Sequence, residues 1–255
     1  MKHHFGKTIV VALGGSIIFP EQIDAQFIGR FSRFIRTFVK KRTKFVIVIG
    51  GGRLSRLFQT AAKQISNITD EDKDWIGIHA TRLNAHLLRT VFRDIADPVV
   101  LDSRHKLKKL RFPVTIASGW RPGWSTDYVA VALAKDFGAG EVVVAGKPGH
   151  VYPHTRTKKI TNVYRGSTSS FGVGVYDKDD DMLDTNNPYK KLTWREYRKL
   201  IPAKWIPGSH APVDPVAARL AEKEGIKAIV LNGKDLKNFE NLLKGKDFKG
   251  TIVGE

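Results

Sequence analysis

Three apolar runs rich in β-branched residues, at positions 7–13 (KTIVVAL), 45–49 (FVIVI) and 113–117 (PVTIA), each give way to a glycine-bearing turn. Continuous apolar runs this short suit strands buried on both faces, because a strand with one wet face alternates. The turns are Gly14-Gly15-Ser16, Gly50-Gly51-Gly52 and the loop from Gly119 to Thr126. Helical patterns follow. Residues 24–38 open at Asp24 and repeat Phe27, Phe31, Phe34, Ile35 and Phe38 at helical spacing, which marks one buried face. Gly52 leads into Arg53-Leu54-Ser55-Arg56 and a further helix. Ser125, Thr126 and Asp127 supply capping oxygens for a helix over 127–137 that Gly138 closes.

The alternation continues. The acidic residues 70–74 are expected to open a helix over 75–93 with Ile76, Ala80, Leu83, Leu87 and Val91 as its stripe and Asp74, Arg82 and Asn84 around it. Residues 98–101 and 141–145 read as strands, and Thr193 and Glu196 have capping-box spacing for a helix reaching about Leu200. Asp214-Pro215 joins an N-cap to a first-turn proline, ahead of a helix ending at Gly225. A strand over 226–231, a turn at Asn232-Gly233, a helix over 236–243 and a strand over 251–253 complete the pattern. Such alternation predicts an α/β fold with a mostly parallel central sheet covered on both faces. Residues 146–187 break the rhythm: glycines, a Ser-Thr-Ser-Ser run and an acidic run at 177–181 suggest hairpins and a loop, with extended pieces at 160–163 and 173–176.

With 255 residues, no internal repeat and no long linker, the chain is expected to form a single domain of two lobes. It has no cysteine, which excludes disulfides and cysteine metal sites and agrees with a reducing cytoplasm. No run of eighteen apolar residues occurs, and the N-terminal apolar stretch is soon interrupted by glycine; a cytoplasmic protein with neither membrane span nor cleaved signal is expected. The net charge of +18 attracts polyanions nonspecifically. Its two basic clusters, Arg30 to Arg42 and Arg104 to Arg111, are expected to be mainly solvated faces.

In an open parallel sheet, ligands bind beyond the carboxyl ends of the strands, where all three glycine turns fall. Free backbone N–H groups and the helix dipole make such ends hospitable to phosphate. Singly, each turn is equally an ordinary capped connection. The sequence has no GxxxxGK[ST] loop and no GxGxxG fingerprint, so neither a P-loop enzyme nor a dinucleotide dehydrogenase is indicated. Phosphoryl transfer needs backbone donors, cations and an orienting carboxylate more than a covalent nucleophile. The glycines, Arg53, Arg56 and Asp127 would supply that set.

Taken in order, GGS at Gly14 to Ser16, GGGRLSR at Gly50 to Arg56, DWIGIHATRLNAHLL at Asp74 to Leu88, GWRPGWSTD at Gly119 to Asp127 and DPVAARLAEKEGIKAIVLNG at Asp214 to Gly233 resemble the UMP kinases of the amino-acid kinase superfamily, most closely the archaeal type. The resemblance implies a three-layer α/β/α sandwich that uses ATP and Mg²⁺. It implies an N-terminal lobe over about 1–138 for UMP and a C-terminal lobe over about 139–255 for ATP, with an irregular insertion at about 146–174. Gly51, Asp74 and the loop Trp120, Arg121, Pro122, Gly123, Trp124, Ser125 and Thr126 match positions that hold UMP, Asp74 on the ribose. Gly15, Ser16, Gly52 and Arg56 match positions around the ATP phosphates, and Asp127 matches the carboxylate that orients the catalytic cations. The family is commonly a hexamer built from dimers with the first long helix at the dimer contact, although Phe27, Phe31 and Phe38 are equally explicable as core.

Two departures stand out. Many superfamily members carry a lysine two residues before the first GG, where this chain has Ala12; Arg53 is then the candidate catalytic cation. The ATP loop resembling TNVDGVYxxDP is altered. One register splits it into Thr161-Asn162-Val163 and Gly174-Val175-Tyr176, placing Tyr176 on adenine and Asp179 near the ribose; this register is preferred for its distance to the Thr193 helix. The other gives those roles to Lys147 and Tyr152. The same fold would also suit a kinase for another small phosphate, or a relative that only binds anions or nucleic acid.

Overall fold

The β-branched runs become the middle of one sheet. A computed structural model describes residues 5–153, 184–205 and 211–254. In chain order the elements are β1 (Thr8–Leu13), α1 (Gly15–Ile18), α2 (Ala25–Val39), β2 (Lys44–Ile49), α3 (Gly52–Ile65), α4 (Asp70–Val91), β3 (Val114–Ala117) and α5 (Thr126–Asp136). They continue with β4 (Glu141–Gly146), β5 (Lys191–Leu192), α6 (Trp194–Tyr197), α7 (Pro215–Glu224), β6 (Lys227–Asn232), α8 (Leu236–Leu243) and β7 (Thr251–Val253). The strands form a seven-stranded sheet in the order β3-β2-β1-β4-β6-β7-β5, parallel throughout except where β6 meets β7.

Successive strand side chains point to opposite faces, and in β1 that alternation divides the core in two. Ile9, Val11 and Leu13 pack with Phe27, Phe31 and Ile35 of α2, Leu88 of α4 and Phe239 of α8. Val10 and Ala12 face the other way, toward α5, α6 and α7. This is the expected three-layer sandwich. Phe27 and Phe31 are fully buried and stack on one another, so the α2 aromatics are core rather than a free contact surface. By contrast α3 buries only Ser55 fully, and its Leu57, Phe58 and Ile65 are exposed.

Two expected elements differ. Residues 98–101 do not form a strand: only isolated bridges join Ala96 to Val114 and Leu101 to Ala117. Between them Pro98 has no N–H to give, and the Asp97 carboxylate accepts the Val99 N–H at 2.9 Å, turning the chain. Helix α4 begins earlier than expected, because Thr69 and Asp72 close a capping box and residues 70–74 form its first turns. Its inward side is Ile78, Ala80, Thr81, Asn84, Ala85 and Leu88, with Leu87 and Val91 packed at the core margin as expected, while Leu83, expected in the stripe, is 63% exposed. The short strand β5 and the single-turn helix α1 were not apparent in the sequence pattern.

Several clustered basic side chains are held in surface ion pairs. Arg36 grips Asp94 with two hydrogen bonds, of 2.6 and 2.8 Å, holding that carboxyl down at about 2, and Arg104 pairs with Asp136 and Lys106 with Asp102.

The tightest packing in the sheet rim is between main chains. A Cβ built on Gly15 would lie 2.3 Å from Gly50 O and Gly52 N, and one on Gly52 would lie 2.4 Å from the Gly15 carbonyl carbon. Gly52 also has φ +64, a left-handed conformation that costs a side-chain-bearing residue free energy. Gly52→Ala is therefore expected to destabilise the protein by about 2 kcal/mol or more, or to prevent folding. Gly140→Ala, where a Cβ meets nothing within 4 Å, should stay within about 0.5 kcal/mol of the parent in urea denaturation.

Candidate active site

Each glycine turn reaches the same rim because β1, β2 and β3 are parallel neighbours. The first turn is tied inward by Gly14 N–H donating to Ala145 O at 2.9 Å, and the second by Gly50 N–H donating to Leu13 O at 3.0 Å. Helix α4 then stitches the second turn to the third. Asn84 Nδ2 donates to the Gly50 and Gly51 carbonyls at 2.9 and 3.2 Å, while Thr81 Oγ1 accepts the Gly119 N–H at 2.8 Å. Asn84 stood out in the sequence. Thr81 did not, because a stripe drawn through Ile76 and Leu83 leaves it outside; the polar pair Thr81 and Asn84 at i, i+3 was the available signal.

The third loop ends in helix α5, whose cap is shared. Ser125 Oγ accepts the Tyr128 N–H at 3.0 Å and donates its own proton to Asp214 Oδ2. Asp214 Oδ1 in turn caps α7, accepting from Val216 N at 2.7 Å and Ala217 N at 3.1 Å. Two helix N-termini thus meet cap to cap. Beside them the Asp127 carboxylate accepts the Asp214 backbone N–H. Burial, and then the Asp214 charge, push the Asp127 carboxyl well above the usual carboxylate range; burial likewise raises Asp214 against its hydrogen bonds. An acid pair next to positive helix ends, Asp214 buried and Asp127 half-buried on the cavity lining, is a site prepared for cationic company or for charge brought by a ligand.

A cavity of about 180 Å³ opens at this point. Its lining includes Ala12, Gly14, Gly15, Ser16, Gly50, Thr126, Asp127 and Lys147. A larger cavity, about 420 Å³ between residues 101–108 and α5, contains none of the glycine-turn residues.

The structure therefore gathers Gly15, Ser16, Thr126 and Asp127 on one hollow, with Gly51 and Gly52 in the adjoining turn. Asp74 lies at the loop, where its Oδ2 accepts the Gly123 N–H at 2.7 Å. Arg121 covers the Trp124 ring at 4.0 Å, and Trp124 leans on Tyr128 at 4.5 Å. Pro122 and Gly123 form the loop tip, with Gly123 at φ +79. Trp120 differs from the others: it is core, 6% exposed, with the indole N–H on Leu101 O at 3.1 Å, and it is not part of the cavity lining. Arg53 and Arg56 sit in the first turn of α3 and are not among the lining residues of the hollow. Thr161, Asn162, Tyr176 and Asp179 lie outside the described residues. Directly after β4, Lys147 lines the hollow, and the chain reaches Val151, which pairs with Tyr189, and then Tyr152.

Residues 7–164 match the model of the family described as Amino acid kinase family. A uridylate kinase from Thermococcus sibiricus is 32% identical over 255 residues, covering 96% of this chain and 98% of that protein. One from Pyrococcus abyssi is 30% identical over 248 residues, with 96% and 98% covered. The crystal structure of the uridylate kinase from Archaeoglobus fulgidus superposes with a TM-score of 0.72 at 25% identity, covering 99% of this chain and 100% of that one.

The raised acids carry a pH signature. In the folded protein Asp127 and Asp214 bind their protons more tightly than in the unfolded chain, which releases them near the ordinary carboxylate value. Stability should therefore fall as pH rises from that value through the raised ones. Asp127→Asn keeps an acceptor for the Asp214 N–H and removes one charge. Its unfolding temperature is expected to vary less with pH and to exceed the parent's at pH 7, by roughly 2–4 °C for each ~1 kcal/mol relieved. Calorimetry from pH 4 to 8 reads both.

Proposed function

This chain belongs to the amino acid kinase family, and we propose that within it the protein is a UMP kinase, moving the γ-phosphoryl group of ATP onto UMP to give UDP. The observation that carries this reading is the convergence of the glycine turns and the α5 N-terminus on one hollow with a carboxylate at its edge. Its similarity to the archaeal uridylate kinases favours UMP over another small phosphate.

In this reading Gly51, Asp74 and residues 120–126 hold UMP, with Asp74 on the ribose and the loop tip fixed by the Asp74–Gly123 bond. Gly15, Ser16, Gly52 and Arg56 surround the ATP phosphates. The two phosphates meet between the first turn and Asp127, where main-chain N–H groups neutralise charge without any side chain to displace. The transfer is an in-line displacement, so the residues position two anions and need form no covalent bond.

Mg²⁺ would enter with ATP. Among the described residues no three His, Asp or Glu side chains stand together to hold a metal, and a single cavity carboxylate suits an ion that takes most of its ligands from phosphates and water. When bound it would supply neutralisation of the phosphate charge; Asp127 is the residue placed to orient it. The family resemblance also suggests a homo-oligomer, for which the exposed apolar side of α3 is the available face, since the α2 aromatics are already core.

A panel of acceptors with ATP tests the assignment: UMP is expected to give the highest kcat/KM, and a clear preference for another small phosphate would overturn it. Asp74→Asn should raise KM for UMP by about tenfold or more, the worth of one charge-assisted hydrogen bond, while KM for ATP stays within about twofold. Steady-state kinetics in both substrates separates these.

A further inference from the structure

Bringing two phosphates together calls for a cation beside the migrating group, and the first strand does not supply one. Ala12 forms part of the cavity wall and is only 4% exposed. Nor, among the described residues, does Asp127 form an ion pair with a cation. We propose that Lys147 is the transition-state cation of this enzyme, delivered from the strand next to the one that lacks it.

Ala12 pairs with Val144 across the β1–β4 ladder, so Lys147 leaves the sheet one strand over and three residues further toward the rim. Its ammonium has no hydrogen-bond or ion-pair partner among the described residues. It shares the cavity lining with Gly14, Gly15, Ser16 and Asp127. The backbone beneath it is anchored on both sides. Gly146 O accepts the Gly233 N–H at 3.1 Å, and Gly149 lies so close to β6 that a Cβ there would stand 2.9 Å from Asn232 Cβ. A fixed base with a flexible four-carbon stem lets the charge follow the phosphoryl group as it moves. Arg53, the candidate from sequence, stands in the first turn of α3 and outside the lining.

The inference rests on the kinase reading. An oxygen of the UMP phosphate forms a bond to the γ-phosphorus as the bond from that phosphorus to the bridging oxygen breaks, and the electron pair stays on the ADP β-phosphate. Lys147 remains protonated throughout; it donates hydrogen bonds to the equatorial oxygens and gives up no proton.

The test compares the parent, Lys147→Met, Lys147→Arg and the double variant Ala12→Lys/Lys147→Met in steady-state kinetics with ATP and UMP. Calorimetric binding of a nonhydrolysable ATP analogue and an unfolding temperature accompany each. Lys147→Met is expected to lower kcat by roughly 10²–10³-fold, the usual cost of losing one transition-state donor, with analogue affinity within about threefold and an unchanged unfolding temperature. Lys147→Arg should retain part of the rate, and Ala12→Lys should recover about tenfold in the Met background. A Lys147→Met kcat within about threefold of the parent overturns the proposal. So does a loss of analogue binding as large as the loss of rate, which would make Lys147 a ground-state contact. A parent that transfers no phosphoryl group to UMP overturns the kinase reading instead, and the two failures are told apart by the parent assay alone.

Discussion

The arrangement of this site depends on a contact that has no side chains in it. Gly15 and Gly52 approach so closely that any Cβ on either would overlap the other's backbone. That approach brings the ends of β1 and β2 together as bare main chain, leaving N–H groups rather than side chains at the rim. Parallel pairing supplies the geometry, because it points both strand ends the same way. Helix α4 extends the arrangement to the third turn through Asn84 and Thr81. A helix whose inward face is partly polar would be a weakness in an ordinary core; here each polar group is spent on a turn carbonyl or N–H.

The opposite wall of the hollow is organised by charge. Ser125 and Asp214 join the caps of α5 and α7, so two helix dipoles converge where Asp127 stands. Crowding the buried Asp214 and the half-buried Asp127 carboxyls together destabilises the protein above the ordinary carboxylate range, as their raised proton affinities indicate. Such local strain is common where a fold has to receive charge from a ligand. Asp127 and the Lys147 ammonium are complementary: among the described residues neither has an ion-pair partner, and both line the same cavity.

Much of the sheet was legible in the sequence because its central strands are unbroken β-branched runs, each closed by glycine. The caps at Asp24, Ser125 and Asp214 were equally legible, since the residue type and its spacing to the helix are local properties. The errors came where tertiary contacts override local pattern. Residues 98–101 look like a strand until Asp97 and Pro98 bend them, and the α4 stripe holds at Ala80, Leu87 and Val91 but fails at Leu83, because the buried face takes in Thr81 and Asn84, which polarity alone assigns to solvent. Trp120 resembles a loop aromatic free to meet a ligand, yet its indole is held in the core by Leu101. Which cation serves the hollow could not be read from spacing, because Lys147 and Arg53 each closely follow a strand end; only the cavity lining tells them apart.

The central claim is that the turns ending β1 and β2, with the N-terminus of α5, form one cradle in which two phosphates face each other. A crystal structure of the protein with UMP and a nonhydrolysable ATP analogue tests it most directly. The account predicts the terminal phosphate of the analogue over the Gly15 and Gly52 amides, the UMP phosphate in line with it, and Asp127 at the edge of the gap. Nucleotide density on another face of the sheet, or phosphates separated by a closed wall between these turns, would contradict it.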